Sequence, residues 1–316
     1  MKIAFFTEMG FMGHTSRAHK NMRTEFAWFT TLNAEHIPIN QIQNIQTQYD
    51  LGIIIIPKNV GNFINVDIVS NMKRICKKTA FMQEGPSWYY QSLPLEHSMW
   101  FLNQMMSVDV VFAHNDIDKQ YYEGLLEKPI YINPTLMIED SIKDLPNVER
   151  KGVIIGGNLN NWYGGIDSYM VATQLNETIY APQMSRMQKE ELQIDEINHL
   201  PYLDWYNWIV ALNNFKYAVH LNPNTIGGTF SLNCAYLGIP CIGNVHANTQ
   251  RLCFPDLSVG HNDLVTAKKL AVKLKNDTDF YTMVSEKAKS LYTEYFSEKQ
   301  YIMTMNTNFN EISKLK

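Results

Sequence analysis

The sequence predicts an α/β protein: two doubly wound, Rossmann-like domains facing across a cleft, with a helical C-terminal segment. Three observations predict it. In the first half, short and almost continuously apolar runs alternate with amphipathic stretches, the signature of parallel strands covered on both faces. A polar, acid-rich stretch around Pro146 then breaks the pattern, and the same alternation restarts at Gly152. From about Asn262 onward the chain reads as helix to its end. The length of 316 residues is enough for two cores, and 45% apolar with 18% charged residues is the balance of a folded chain.

The elements follow in order. Strands are predicted at 2–6, 36–39, 51–56, 79–83, 108–113 and 129–132. A first helix is predicted from Ala18, Met22, Phe26 and Phe29, which share one face, with Arg17, Lys20 and Arg23 elsewhere. A second, over 62–77, aligns Ile64, Ile68, Met72 and Ile75. After the break, strands are predicted at 152–156, 178–181, 198–202, 217–221 and 240–243. Helices are predicted from Ile166, near 185–192, over 204–213 and from Thr229. The domains are thus 1–140 and 152–295, joined by a linker at 141–151, with a last helix at 296–316 that packs back on the first domain.

Bulk properties narrow the function classes. A net charge of −4 gives no global footprint for nucleic acid. The longest clean apolar run, 51–57, is far short of the ~20 residues of a spanning helix. The apolar N-terminus is closed at once by Glu8 and Gly10, as a first strand rather than a signal peptide would be. Cys76, Cys234, Cys241 and Cys253 have no CxxC spacing and are expected as reduced, buried thiols of a cytoplasmic protein. His and carboxylate residues lack metal-ligand spacing, so neither a metal nor a cofactor is expected.

The most informative stretch runs from His220 to Asn244. It reads as a buried strand, a Gly227-Gly228-Thr229 turn, an apolar helix, a stop at Gly238-Ile239-Pro240 and a further strand. Glycines let a ligand approach the main chain, and a helix start offers unpaired N–H groups and a positive dipole end, which suit phosphate. Thr229 and Ser231 are the helix starters.

These residues, in this order, resemble the GT-B-type glycosyltransferases, nearest to the glycogen-synthase-like retaining class. Residues 1–14 look like that family's first strand and glycine-bearing loop. Residues 108–115 and 129–134 resemble two further strands of its first domain, and 153–158 the opening of its second. Residues 229–242 resemble its most specific segment, which ends in Gly-x-Pro and carries two glutamates separated by seven residues. Those places fall here at Thr225 and Asn233, neither acidic. The family's donor-holding Arg and Lys have no match after Gly157; Arg186 and Lys189 are the nearest replacements.

The resemblance implies a glycosyltransferase that moves a sugar from a nucleotide-sugar donor, its co-substrate, with retention and without a metal. The second domain would hold the donor and the first the acceptor. Gly13, Thr15, Gly227, Gly228 and Thr229, with Arg186 and Lys189, are expected around the diphosphate and sugar, and Asn233 on a donor hydroxyl. His199 and Tyr202 lie where the family holds the base. His14, in the first loop, and Glu84, at a strand end before Gly85-Pro86 and Trp88-Tyr89-Tyr90, are the expected catalytic residues. His97 and His114 are secondary candidates. Asn158, Asn160, Asn161 and Trp162 line the loop opening the second domain, and Trp205-Tyr206-Asn207-Trp208 reads as core and wall. The acceptor is open: glycan, lipid, protein or modified DNA. Two alternatives remain: a nucleotide-sugar epimerase or hydrolase of the same fold, and a noncatalytic sugar-nucleotide or glycan-binding protein.

Overall fold

The computed structural model describes all residues except 21, 23, 57–66, 92, 158, 160, 184–188 and 316, and the side chains of 90, 91 and 161 are also outside the description. It divides into two units. The first comprises Met1–Arg17, Glu25–Pro134 and Tyr301–Lys316; the second comprises Ala18–Thr24 and Thr135–Gln300.

In chain order the elements of the first half are β1 (Ile3–Thr7), α1 (Thr24–Thr31), β2 (Glu35–Pro38), β3 (Tyr49–Ile56), α2 (Ile68–Ile75), β4 (Cys76–Gln83), α3 (Trp88–Gln91), α4 (Leu95–Ser107), β5 (Val110–Ala113), α5 (Asp116–Leu125) and β6 (Ile130–Ile132). Among the described residues they form one six-stranded sheet, ordered β2-β1-β3-β4-β5-β6. Every described pairing in it is parallel. The strands are apolar along their whole length because both faces are covered: all five residues of β1 are buried. Asp67 and Asn115 start α2 and α5 by accepting the N–H groups of Ser70 and Asp118.

Two helices differ from the sequence expectation. The first begins at Thr24, and Ala18 and Met22 lie before it. The chain at 17–20 is held in turns and bends instead of a helix. The second covers only Ile68–Ile75 within the described residues, because Cys76 pairs with Tyr49 and opens β4. Helical spacing at 76–77 loses to the parallel ladder; Ile64, the start of that expected helix, lies outside the described residues.

The second half continues with β7 (Val153–Ile155), α6 (Gly165–Ala172), β8 (Ile179–Pro182), β9 (Ile197–Leu200), α7 (Trp205–Leu212), β10 (Tyr217–His220), α8 (Thr229–Leu237), β11 (Cys241–Asn244), α9 (Asn248–Cys253), β12 (Ser258–Val259), α10 (Leu264–Asn276), α11 (Thr278–Phe296) and α12 (Glu298–Ile312). Its six-stranded sheet is ordered β12-β11-β10-β7-β8-β9, again with every described pairing parallel. The expected helix near 185–192 is described only as a 3-10 turn, Lys189–Gln193; residues 184–188 lie outside the described residues. The short α9 and the two-residue β12 carry too little periodicity to be read from sequence. The four cysteines are free and buried. No helix among the described residues is long and apolar enough to cross a membrane.

Candidate functional site

In the second sheet β7 and β10 lie side by side, although β8 and β9 separate them in the chain. The strand order reverses there, so the loops leaving β7 and β10 diverge and open a crevice at the strands' carboxyl ends, where open α/β sheets take their ligands. The loop after β7 begins with Gly156 and Gly157; the loop after β10 runs through Asn222 to Gly228.

Gly228 sets the second loop. It sits at the N-terminus of α8 in the left-handed region, φ 88°, and a Cβ there would fall 2.2 Å from Thr249 Oγ1. Thr249, fully buried, donates its hydroxyl to the Gly228 carbonyl, with the Ser231 hydroxyl 2.6 Å from Thr249 Oγ1. Main-chain bonds from Asn248 N to Ile226 O, 3.0 Å, and Thr249 N to Gly227 O, 3.3 Å, fasten the same loop. The start of α8 therefore differs from the expected hydroxyl cap. Thr229 is its first residue and exposed, and the N-cap residue, Gly228, has no side chain to accept from the first turn. Those N–H groups have no intrahelical partner, so the helix start presents donors and a positive dipole end to an anion.

Asn233 Oδ1, on α8, and His220 Nε2, at the end of β10, are among the buried polar atoms of this unit that have no hydrogen-bond partner among the described residues. Burial pushes the His220 imidazole down to about 4, so it is neutral at physiological pH. Glu191 is buried and accepts the Leu159 N–H at 3.0 Å, tying the loop after β7 to the turn at Lys189–Gln193. His199 Nε2 lies 3.1 Å from the Glu191 carbonyl, and its Nδ1 has no partner. Tyr202 is exposed beyond β9, and Lys189 is exposed in the turn. Arg186, Asn158 and Asn160 lie outside the described residues. Trp205, Tyr206 and Trp208 pack against the core of this unit.

In the first unit, the loop after β1 is pinned to β2. Gly13, at φ 106°, exchanges two main-chain hydrogen bonds with His36, each 2.9 Å. The His36 side chain is fully buried between Thr7 Oγ1, 2.8 Å from Nε2, and the Phe11 carbonyl; burial holds its pKa low. This leaves His14 exposed on the loop, while Thr15 Oγ1 is buried without a partner.

Glu84 follows β4, its N–H bonded to Ile56 O at 2.8 Å. The turn beyond it is held by Asp118, fully buried, which accepts from Ser87 N and Asn115 Nδ2, both at 2.9 Å. His114 Nε2 lies 2.9 Å from the Gln83 carbonyl, and burial lowers its pKa despite the nearby Asp118. Tyr122 donates to Gln83 Oε1 at 3.0 Å. The sequence expectation missed Thr249, Glu191 and Asp118. Thr249 acts on Gly228, Glu191 on Leu159 and Asp118 on Ser87, each at least 21 positions away, so local pattern does not reveal these bonds. Among the described residues no group of three His, Cys, Asp or Glu is placed to hold a metal ion.

No protein-family model matches the sequence, and no curated protein matches it. Solved structures do match in fold. HepE of Anabaena, determined with UDP and glucose, superposes with a TM-score of 0.69 at 8% identity, over 98% of this chain and 100% of that one. The sucrose-phosphate synthase of Thermosynechococcus elongatus gives 0.67 at 10% identity, over 99% of each chain. S. aureus TarM, determined with fondaparinux, α-GlcNAc-glycerol and UDP, gives 0.60 at 11% identity; 82% of this chain aligns with 55% of that one, so the chain spans about half of TarM. Two parallel sheets with flanking helices and a helical C-terminal region make this the GT-B architecture.

Proposed function

We propose that this chain, built on the GT-B fold, is a glycosyltransferase that moves a sugar from a nucleotide-sugar donor to an acceptor hydroxyl. The observation that carries the reading is the uncapped start of α8 at the strand-order reversal, with Gly228 held open by Thr249. The second unit takes the donor. N–H groups at Gly227, Gly228 and Thr229 receive the diphosphate, Arg186 and Lys189 neutralise it, and Asn233 receives a donor hydroxyl through its unpaired amide oxygen. His199 and Tyr202 face the base. The first unit takes the acceptor, with Gly13, His14, Thr15 and Glu84 as the residues that work there.

In the reaction the bond from the sugar's anomeric carbon to the diphosphate oxygen breaks. The acceptor oxygen bonds to that carbon, and its proton leaves to the departing diphosphate. Stabilising charge on that leaving group is the main electrostatic demand, and oriented N–H groups meet it without reorganising. Retention follows the class the sequence resembles, as does independence of a metal.

A thermal-shift panel tests the donor site. Binding to the folded state stabilises it by about 2.7 kcal/mol at a hundredfold excess over Kd. HepE and TarM were each solved with UDP, which puts UDP-glucose and UDP-N-acetylglucosamine first in the panel, beside ADP- and GDP-sugars. A selective shift that Gly228→Trp abolishes supports the reading; no shift with any nucleotide or nucleotide sugar sinks it. One observation favours a second reading. Thr225 and Asn233 stand where the resembling family carries glutamates, which fits a binding protein without turnover. Donor binding with no sugar release or transfer to glycan, lipid, protein or DNA acceptors would select it. Release without any acceptor would select hydrolysis.

A further inference from the structure

His220 is a buried titratable side chain at the crevice to which the reaction above gives no work. It ends β10, beside the end of β7, where the strand order reverses. Its residue is only 7% exposed. On one side its ring meets Phe230 in the first turn of α8, with centroids 5.2 Å apart and planes at 70°. On the other side is Gly156, whose lack of a side chain gives the imidazole its place; a Cβ there would stand 2.5 Å from the ring.

His220 Nε2 has no hydrogen-bond partner among the described residues. A buried polar atom left unpaired costs about 1–3 kcal/mol. A core that needed only a flat ring between Gly156 and Phe230 would be served better by phenylalanine. An unpaired group in a native structure demands an explanation, and here three features converge around it: the reversal of strand order, the glycine pair after β7 and the uncapped start of α8.

We propose that His220 is a ligand-contacting residue, donating a hydrogen bond from its neutral imidazole to a phosphoryl oxygen of a nucleoside diphosphate held between Gly156–Gly157 and the start of α8. The inference rests on the donor-site reading given above. Neutral imidazole has one N–H donor and one acceptor nitrogen. It therefore meets an anion without burying a second charge, and its ring is already fixed by Phe230, so little rotamer freedom is lost on binding.

The test measures calorimetric affinity for uridine, adenosine and guanosine diphosphates in wild type and His220→Phe. It is joined by nitrogen-15 spectra of the histidine rings in wild type during the same titrations. The expected result is a loss on the order of tenfold in affinity in His220→Phe, about what one hydrogen bond to a charged group supplies. Its melting temperature is equal or higher, and the His220 ring resonances of wild type move with the binding isotherm. Equal affinities overturn the proposal, as does a fall in affinity with ring resonances that stay still, which would make His220 a packing residue. If His220→Phe does not fold, the ring resonances decide alone. Failure of wild type to bind any of the three diphosphates overturns the donor-site reading and this inference together.

Discussion

At the scale of single residues, buried neutral imidazoles make this protein sensitive to acid. The folded pKa of His220 is pushed down to about 4 by burial, whereas an unfolded histidine titrates near 6.5. Between those values the unfolded chain binds the proton and the folded one does not. Stability is therefore whole above about pH 6.5 and falls as pH drops toward 4, by about 3 kcal/mol from this residue at about 1.4 kcal/mol per pH unit. His36 and His114, also lowered by burial, act in the same direction. Urea midpoints at pH 7 and pH 5 should differ in wild type and differ less in His220→Phe. Gly228 supplies a second residue-scale prediction. Its φ of 88° and the 2.2 Å approach of a Cβ to Thr249 Oγ1 make Gly228→Ala costly, by roughly 1–3 kcal/mol, with loss of diphosphate binding. Chemical denaturation and calorimetry would check the two effects separately. Thr249→Val, which keeps the shape but removes the hydroxyl bonded to the Gly228 carbonyl, should weaken diphosphate binding while the far-ultraviolet spectrum stays unchanged.

At the scale of elements, Arg150 joins the ends of two helices. Its guanidinium donates to the Leu237 carbonyl at 2.7 Å and the Gly238 carbonyl at 3.3 Å, where α8 stops. It also donates to the Asn213 carbonyl at 3.1 Å and Asn213 Oδ1 at 3.0 Å, where α7 stops. Each helix end carries orphan carbonyls and a negative dipole end, so one cation answers both. Arg150→Met should destabilise the protein by about 2–4 kcal/mol, read as a lowered urea midpoint with an unchanged slope. Read from sequence, Arg150 belongs to the polar linker; its partners are 63 and more positions away. The α8 stop itself was legible, because Gly238 in the left-handed region before Pro240 is a local signal. The start of α1 and the end of α2 were not. Helical spacing continues across Ala18–Met22 and Cys76–Lys77, and competition with turns and with β3 ended it.

At the scale of the whole molecule, each unit owns a sheet and a core, and the last helix belongs to the first unit although it ends the chain. Tyr301, Met305, Phe309 and Ile312 form the buried stripe of α12. Tyr301 donates to Asn133 Oδ1 at 3.0 Å, and Asn308 Nδ2 to the Ile132 carbonyl at 2.9 Å. Four buried side chains at roughly 1.5–3 kcal/mol each amount to a domain's whole margin of stability. Deleting residues 298–316 should therefore unfold the first unit and leave amide protection in the β7–β12 sheet, as hydrogen exchange would show. Met305→Ala, at a residue with no exposure, should cost about 2–5 kcal/mol.

The sequence by itself determined the two sheets, the helical end and the glycine-led start of α8. All of these rest on local signals: apolar runs, helical spacing, and residues such as Gly228 and Gly238 that tolerate a left-handed backbone. Only the tertiary structure decided which strands lie side by side, and hence that β7 and β10 flank the crevice. It alone gave roles to His220, Thr249, Glu191 and Asp118. Their meaning lies in burial and in partners brought from far along the chain, and neither is a property of a residue's sequence neighbours.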